Sequence, residues 1–257
     1  MATITAATAR LNEDRSFVVM AGVCAVIAFG AFAQTYWLQV AAGTFVGTPM
    51  LHLHGLLFSI WTIFFLSQAA LIANGRYANH RAWGLAGIAL ATAMLFTGIA
   101  VAIGGLQDRI AHGYAEAGRS FFIVPMSAIL LFAVFVTAAM VQRRRADWHK
   151  RFMLVASAAL LNAAFARFFF LAATGGGPGM RPGMGPPRPP EFVLPAGLLA
   201  DSVIVLAMLF DWRTRGRPHR AYLWGLGVIL TVQLLRGPIS RTEAWSAFAD
   251  FLVRFSG

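Results

Sequence analysis

The chain has 257 residues, 58% of them hydrophobic and only 12% charged, about half the charged fraction of a soluble domain. The apolar residues fall in long runs, which excludes an ordinary water-soluble fold and reads as an all-α polytopic transmembrane bundle forming one domain over 1–257. The formal net charge of +11 does not imply nucleic acid: the basic residues sit in short loops between apolar runs and leave no soluble face to offer a phosphate backbone.

Seven runs reach the roughly 20 residues a crossing needs, and spans are predicted at 17–38, 50–73, 82–106, 120–141, 152–173, 192–210 and 221–237. The first contains the lone cysteine, Cys24, so no intrachain disulfide or thiolate metal cluster is available. Ala31-Phe32-Ala33 before Gln34 has the small-residue pattern of a signal-peptidase site. Glu13 and Asp14 dilute the basic start such a leader needs, and apolar sequence continues to Val40, so a retained span is expected.

The second run opens with PMLHLHG over 49–55. Thr48-Pro49 reads as an N-cap followed by proline at the first helical position. Residues two apart on a helix point about 200° apart, so His52 and His54 cannot chelate one ion from a regular helix. An extended stretch would be needed, with His112 from the 107–119 loop as a third ligand, and Met180 and Met184 of the loop at 174–191 add a thioether character that suits copper. That loop, TGGGPGMRPGMGPPRPPE, is too rich in Gly and Pro for a helix. The plain alternative is that both histidines hydrogen-bond near the interface. Copper or zinc on these three histidines, or haem b on two of them, stand as the metal and cofactor options beside no cofactor at all.

Within the later spans, charged residues are informative because they are costly in the bilayer and usually face the bundle interior. Arg167 lies in the fifth span and Asp201 in the sixth, at depths about 5 Å apart by helical rise. An Arg167–Asp201 pair is expected, with Asn162, Gln233 and Arg236 beside it and Gln68 deeper toward the other side. Arg236-Gly237-Pro238 is expected to end the seventh span. In the tail at 240–257, Ser240 and Glu243 have capping-box spacing. Trp245, Phe248, Leu252 and Phe255 then recur at helical spacing, as in an amphipathic helix lying on a membrane surface.

The loops at 74–81, 142–151 and 211–220 hold eleven Lys and Arg residues, and the opposite loops four. The positive-inside rule therefore predicts a cytoplasmic N-terminus, a periplasmic C-terminus and a bacterial inner-membrane location. The same basic loops repeat: NGRYANHRAWG, QRRRADWHKRFM and RTRGRPHRAYLWG place His80, His149 and His219 at intervals of 69 and 70 residues. That period implies a helical hairpin used three times, 50–106, 120–173 and 192–237, after one leading helix. His80, Arg81, His149, Lys150, Arg151, His219 and Arg220 then read either as interfacial anchors or as sites for anionic lipid headgroups.

HLHG, GRYANHRAWG, DWHKRFML and DWRTRGRPHRAYLWG together resemble a family of bacterial polytopic membrane proteins, over roughly 50–237. The resemblance implies no particular activity. The chain contains no His-Glu-x-x-His, no phosphate-cradling glycine loop and no serine elbow, and so no complete catalytic constellation. Three readings follow: a small-molecule binding or transport protein with a polar pocket in the outer leaflet, a metal or haem redox protein, or an accessory protein. The bilayer is the expected partner in all three.

Overall fold

With no water in the hydrocarbon layer, each crossing segment must satisfy its own backbone, and here every one does so as a helix. The computed structural model describes residues 2–180, 182–183 and 185–256, with only the backbone for 2–12. The helices are α1 (Ala2–Phe32), α2 (Pro49–Ala73), α3 (Tyr77–Ala111), α4 (Ala115–Val141), α5 (Ala146–Thr174), α6 (Leu194–Arg215), α7 (Arg220–Ser240) and α8 (Glu243–Phe255). A π-helical turn at Ala33–Trp37 and a last turn at Leu38–Ala41 prolong α1, and a 3₁₀ turn at Pro190–Val193 leads into α6. Seven segments are long and apolar enough to cross a membrane, the first being Glu13–Ala41. No strand occurs among the described residues.

The expected spans are all present, but the helices run past their apolar cores. Helix α3 begins at Tyr77 rather than 82 and ends at Ala111 rather than 106, because Tyr, Arg and Gln side chains can reach the interface from the last helical turns. The connections at one end shrink to 74–76, 142–145 and 216–219. Gly75 at φ +71° makes the first of these reversals, a conformation other residues avoid. This end, which carries the three histidine motifs, is called the basic end below. Helix α7 does not stop at Arg236: it continues through Pro238 to Ser240.

Helix α5 is central and packs against α1, α4, α6 and α7. Its alanines 156, 158, 159 and 164 are buried, and such small residues let helices approach closely where hydrophobic burial supplies little. Gly225 of α7 sits against buried Val155 of α5, leaving no room for a Cβ. Leu85, Phe96, Val134, Leu206 and Leu234 are exposed, forming part of the lipid-facing surface.

The tail differs in detail from expectation. Thr242, not Ser240, caps α8, its hydroxyl accepting from Trp245 N–H at 3.2 Å. Ser240 belongs to α7 and bonds Ser120 at 3.1 Å. Helix α8 docks on the ends of α3 and α4: Ala249 is buried with Ala102, Leu106, Phe122 and Met126. The Trp245 indole donates to Arg119 O at 2.8 Å, and Arg119 pairs with Asp250 at 2.7 Å. Phe248, Phe251 and Phe255 stay exposed, giving the helix its apolar outer face.

Candidate functional site

Three polar clusters lie inside this apolar frame. The largest is at the basic end. Arg151, in the second turn of α5, is fully buried. Its Nε and Nη2 donate to the two carboxylate oxygens of Asp211 on α6 at 2.9 and 2.7 Å. Nη2 also donates to Glu13 of α1 at 2.7 Å, and Nη1 to the Asp147 carbonyl at 2.9 Å. Lys150 bridges Glu13 and Asp14 at 3.1 and 3.2 Å. The His219 backbone N–H donates to Asp211 at 3.2 Å, its Nε2 lies 3.1 Å from Asp147, and its Nδ1 accepts from Ala221 N–H. Burial and the Arg151 charge hold the His219 imidazole below its ordinary value, against the pull of Asp147.

This network revises the headgroup reading. Arg151, Lys150 and His219 are each bonded to carboxylates within the protein: Arg151 to Asp211 and Glu13, Lys150 to Glu13 and Asp14, and His219 to Asp147. His149 donates from Nδ1 to Ala139 O at 2.9 Å. Only Arg81 and Arg220 of the set are exposed. Arg220 lines an open groove of about 430 Å³ with Leu223 and Trp224. A pocket of about 10 Å³, room for a single water, lies between Phe17, Asp211 and Tyr222. Glu13 and Asp211, the anions of the network, were not expected as partners. A signal was present for Asp211, a lone acid before Trp in the strongly basic stretch DWRTR, as Asp147 is in DWHKR; Glu13 carries no such mark.

The second cluster lies deeper, among α4, α5, α6 and α7. Asp201 accepts from Gln233 Nε2 at 3.1 Å, and Arg236 donates from Nε to Ser127 at 2.8 Å. Asn162, Asp201, Gln233 and Arg236 are all buried. Gln233 fits because residue 197, packed against it, is glycine. Asn162 Oδ1 and Gln233 Oε1 are buried without a partner.

Arg167 is not in that cluster, which overturns the expected pair. Among the described residues no ion pair joins Arg167 to Asp201 or to any other carboxylate. The guanidinium instead lies over the Phe32 ring of α1, 3.8 Å from its centroid, with Nη1 donating to Ala163 O at 2.9 Å. The reason is azimuth. Arg167 is five residues from buried Asn162, about 140° around the helix, so it turns toward Phe32 of α1 and away from the side of α5 that Asn162 occupies.

Arg167 belongs to the third cluster, at the end opposite the basic loops. His54 on α2 is near enough to feel the Arg167 charge, and its ring lies tilted at 35° against Phe58 with centroids 4.0 Å apart. His54 Nδ1 and Arg167 Nε are both buried without a hydrogen-bond partner. His52 turns the other way: Tyr36 Oη is 3.2 Å from its Nδ1, and Phe45 meets its ring edge-on. Tyr36 can approach because its ring fills the space where residue 55 would carry a Cβ, which accounts for glycine in HLHG. Tyr36 is presented by the π-helical turn, a feature that often marks functional positions. Two residues beyond that turn, Gln39 ties down the glycine-rich loop, donating to Gly177 O and Met180 O at 3.3 and 2.8 Å.

The metal expectation finds no assembled site here. Helix α2 is regular from Pro49, so His52 and His54 diverge as helical geometry requires; Thr48 takes the N-cap conformation but its side chain makes no capping bond. His112, at the end of α3, bonds its own helix at Asp108 O, 2.7 Å away. Among the described residues no group of three or more His, Cys, Asp and Glu side chains could hold a metal ion. Met184 lies outside the described residues.

The chain is a multi-pass helical membrane protein by fold. No family model, curated protein or solved structure matches it.

Proposed function

We propose that this protein resides in a bacterial inner membrane, with the basic loops in the cytoplasm, and binds a small anionic amphipathic molecule in the outward half of the bundle. The seat is the junction of α1, α2 and α5, where Arg167 and His54 contact the anionic group and the Phe32 and Phe58 rings accept an apolar chain. The observation that carries this reading is Arg167: a guanidinium within a spanning helix, with a buried unbonded Nε and no carboxylate partner among the described residues. An unpaired charge at such depth is costly and marks a ligand or ion path. A carboxylate or phosphate supplies the missing counter-charge with charge-assisted hydrogen bonds.

The test is thermal unfolding in a neutral detergent with a long-chain fatty carboxylate and with the matching fatty alcohol. The carboxylate is expected to raise Tm in the wild type and to lose that effect in Arg167→Gln, while the alcohol has no effect on either. Equal shifts from both probes, or a carboxylate shift that survives Arg167→Gln, would count against the reading.

A further inference from the structure

The repeat-related histidines at the basic end are not equivalent. His219 has both ring nitrogens occupied, one by Ala221 N–H and one by Asp147. His80 and His149 do not. Their rings lie 6.2 Å apart, centroid to centroid, at 79°. His149 commits its Nδ1 proton to Ala139 O at 2.9 Å, so in the neutral ring Nε2 presents a lone pair. His80 Nδ1 is buried with no hydrogen-bond partner. In the tautomer protonated at Nε2, that Nδ1 presents a lone pair. The two adjacent imidazoles then offer two acceptor nitrogens, the one on His149 fixed by the carbonyl bond at its other nitrogen. Histidines that ligate metals show this arrangement, the second nitrogen fixed by a carbonyl that sets tautomer and ring orientation.

We propose that His80 and His149 form a two-imidazole site for a soft monovalent cation, copper(I). Two nitrogen–metal bonds of about 2 Å each and two ring radii of about 1.2 Å span roughly 6.4 Å when collinear, close to the observed separation. Linear two-coordination is a geometry that a closed-shell copper(I) ion accepts, whereas zinc in a structural site calls for four ligands. No further His, Cys, Asp or Glu joins the pair among the described residues, and the Arg81 charge acts on His80. Two neutral ligands in a positive field suit a single positive charge better than two.

The experiment is anaerobic titration of the detergent-purified full chain, free of any polyhistidine tag, with copper(I) held by a chromophoric bicinchoninate competitor. One equivalent is expected to transfer to the protein. His80→Gln or His149→Gln should weaken that transfer at least about tenfold, while His219→Gln leaves it unchanged. His80→Met, which restores a soft ligand, should recover copper(I) binding. Melting curves on each variant separate ligand loss from misfolding, and His80→Met keeps the test decisive if a glutamine variant does not fold. No transfer to the wild type would mean that a bridging water only joins the rings, and would overturn the proposal. So would transfer that survives the double glutamine variant, or a haem absorption band from the purified protein.

Discussion

Removing one partner from the Arg151–Asp211 pair should be among the most damaging single changes in this bundle. Both side chains are almost wholly buried, at 0% and 2% exposure, and the contact is bidentate. Breaking a buried pair from one side costs about 3–5 kcal/mol, because the remaining charge stays desolvated. Asp211→Ala leaves Arg151 with Glu13 as a residual partner, so the low end, about 3 kcal/mol, is expected for that change. Arg151→Ala strands Asp211, while Glu13 retains Lys150 at 3.1 Å. At about 2–4 °C per kcal/mol for a chain of this size, Asp211→Ala lowers Tm by roughly 6–12 °C. The assay is a double-mutant cycle by thermal unfolding in detergent, with Arg151→Ala, Asp211→Ala and both together. The double variant should be less damaged than the sum of the singles by about 1–3 kcal/mol. Strict additivity, or an Asp211→Ala protein as stable as the wild type, would refute the reasoning.

Arg167→Ala and Asp201→Ala should show the opposite behaviour. The two residues face different helices and share no bonded partner, so their Tm losses are expected to add within about 0.5 kcal/mol; a strong positive coupling would restore the ion pair that the depth argument implied. Gly225→Ala is expected to destabilise by about 1–3 kcal/mol through overpacking against buried Val155. Gly227→Ala, two residues along the same helix with open space where its Cβ would lie, should be neutral or stabilise by up to about 1 kcal/mol through helix propensity. Equal melting temperatures for the two alanine variants would contradict the α5–α7 packing.

Apolar run length was enough to read seven crossings, because run length is a one-dimensional property that the bilayer converts directly into structure. The spacing of His80, His149 and His219 is what leads to the expectation of three hairpins after one leading helix. Helix ends were less legible: polar residues such as Tyr77 and Asn79 continue α3 beyond the apolar stretch, and hydropathy cannot mark a turn made by three residues. The Arg167–Asp201 expectation rested on depth alone. Azimuth was also available: Arg151 and Asn162, eleven residues apart, are separated by only about 20° around α5, and both face the interior. Arg167 falls outside that stripe. The π-helical turn at 33–37 has no sequence signature comparable to a proline or glycine, so the placement of Tyr36 against His52 could not be anticipated. Likewise, Glu13 precedes the first apolar stretch, and only tertiary packing brings it to Arg151.

The central claim is that Arg167 and His54 lie in the outward half of a seven-span bundle whose basic loops face the cytoplasm. The direct measurement is thiol accessibility in intact cells. Cys24 is the only cysteine, so a Cys24→Ala background gives single-cysteine variants at Gly113, Arg144, Gly175 and Arg217. A membrane-impermeant maleimide is expected to label Gly113→Cys and Gly175→Cys in intact cells, and Arg144→Cys and Arg217→Cys only after lysis. Labelling of positions 144 and 217 in intact cells, with 113 and 175 protected, would invert the bundle, put Arg167 on the cytoplasmic side and contradict the account.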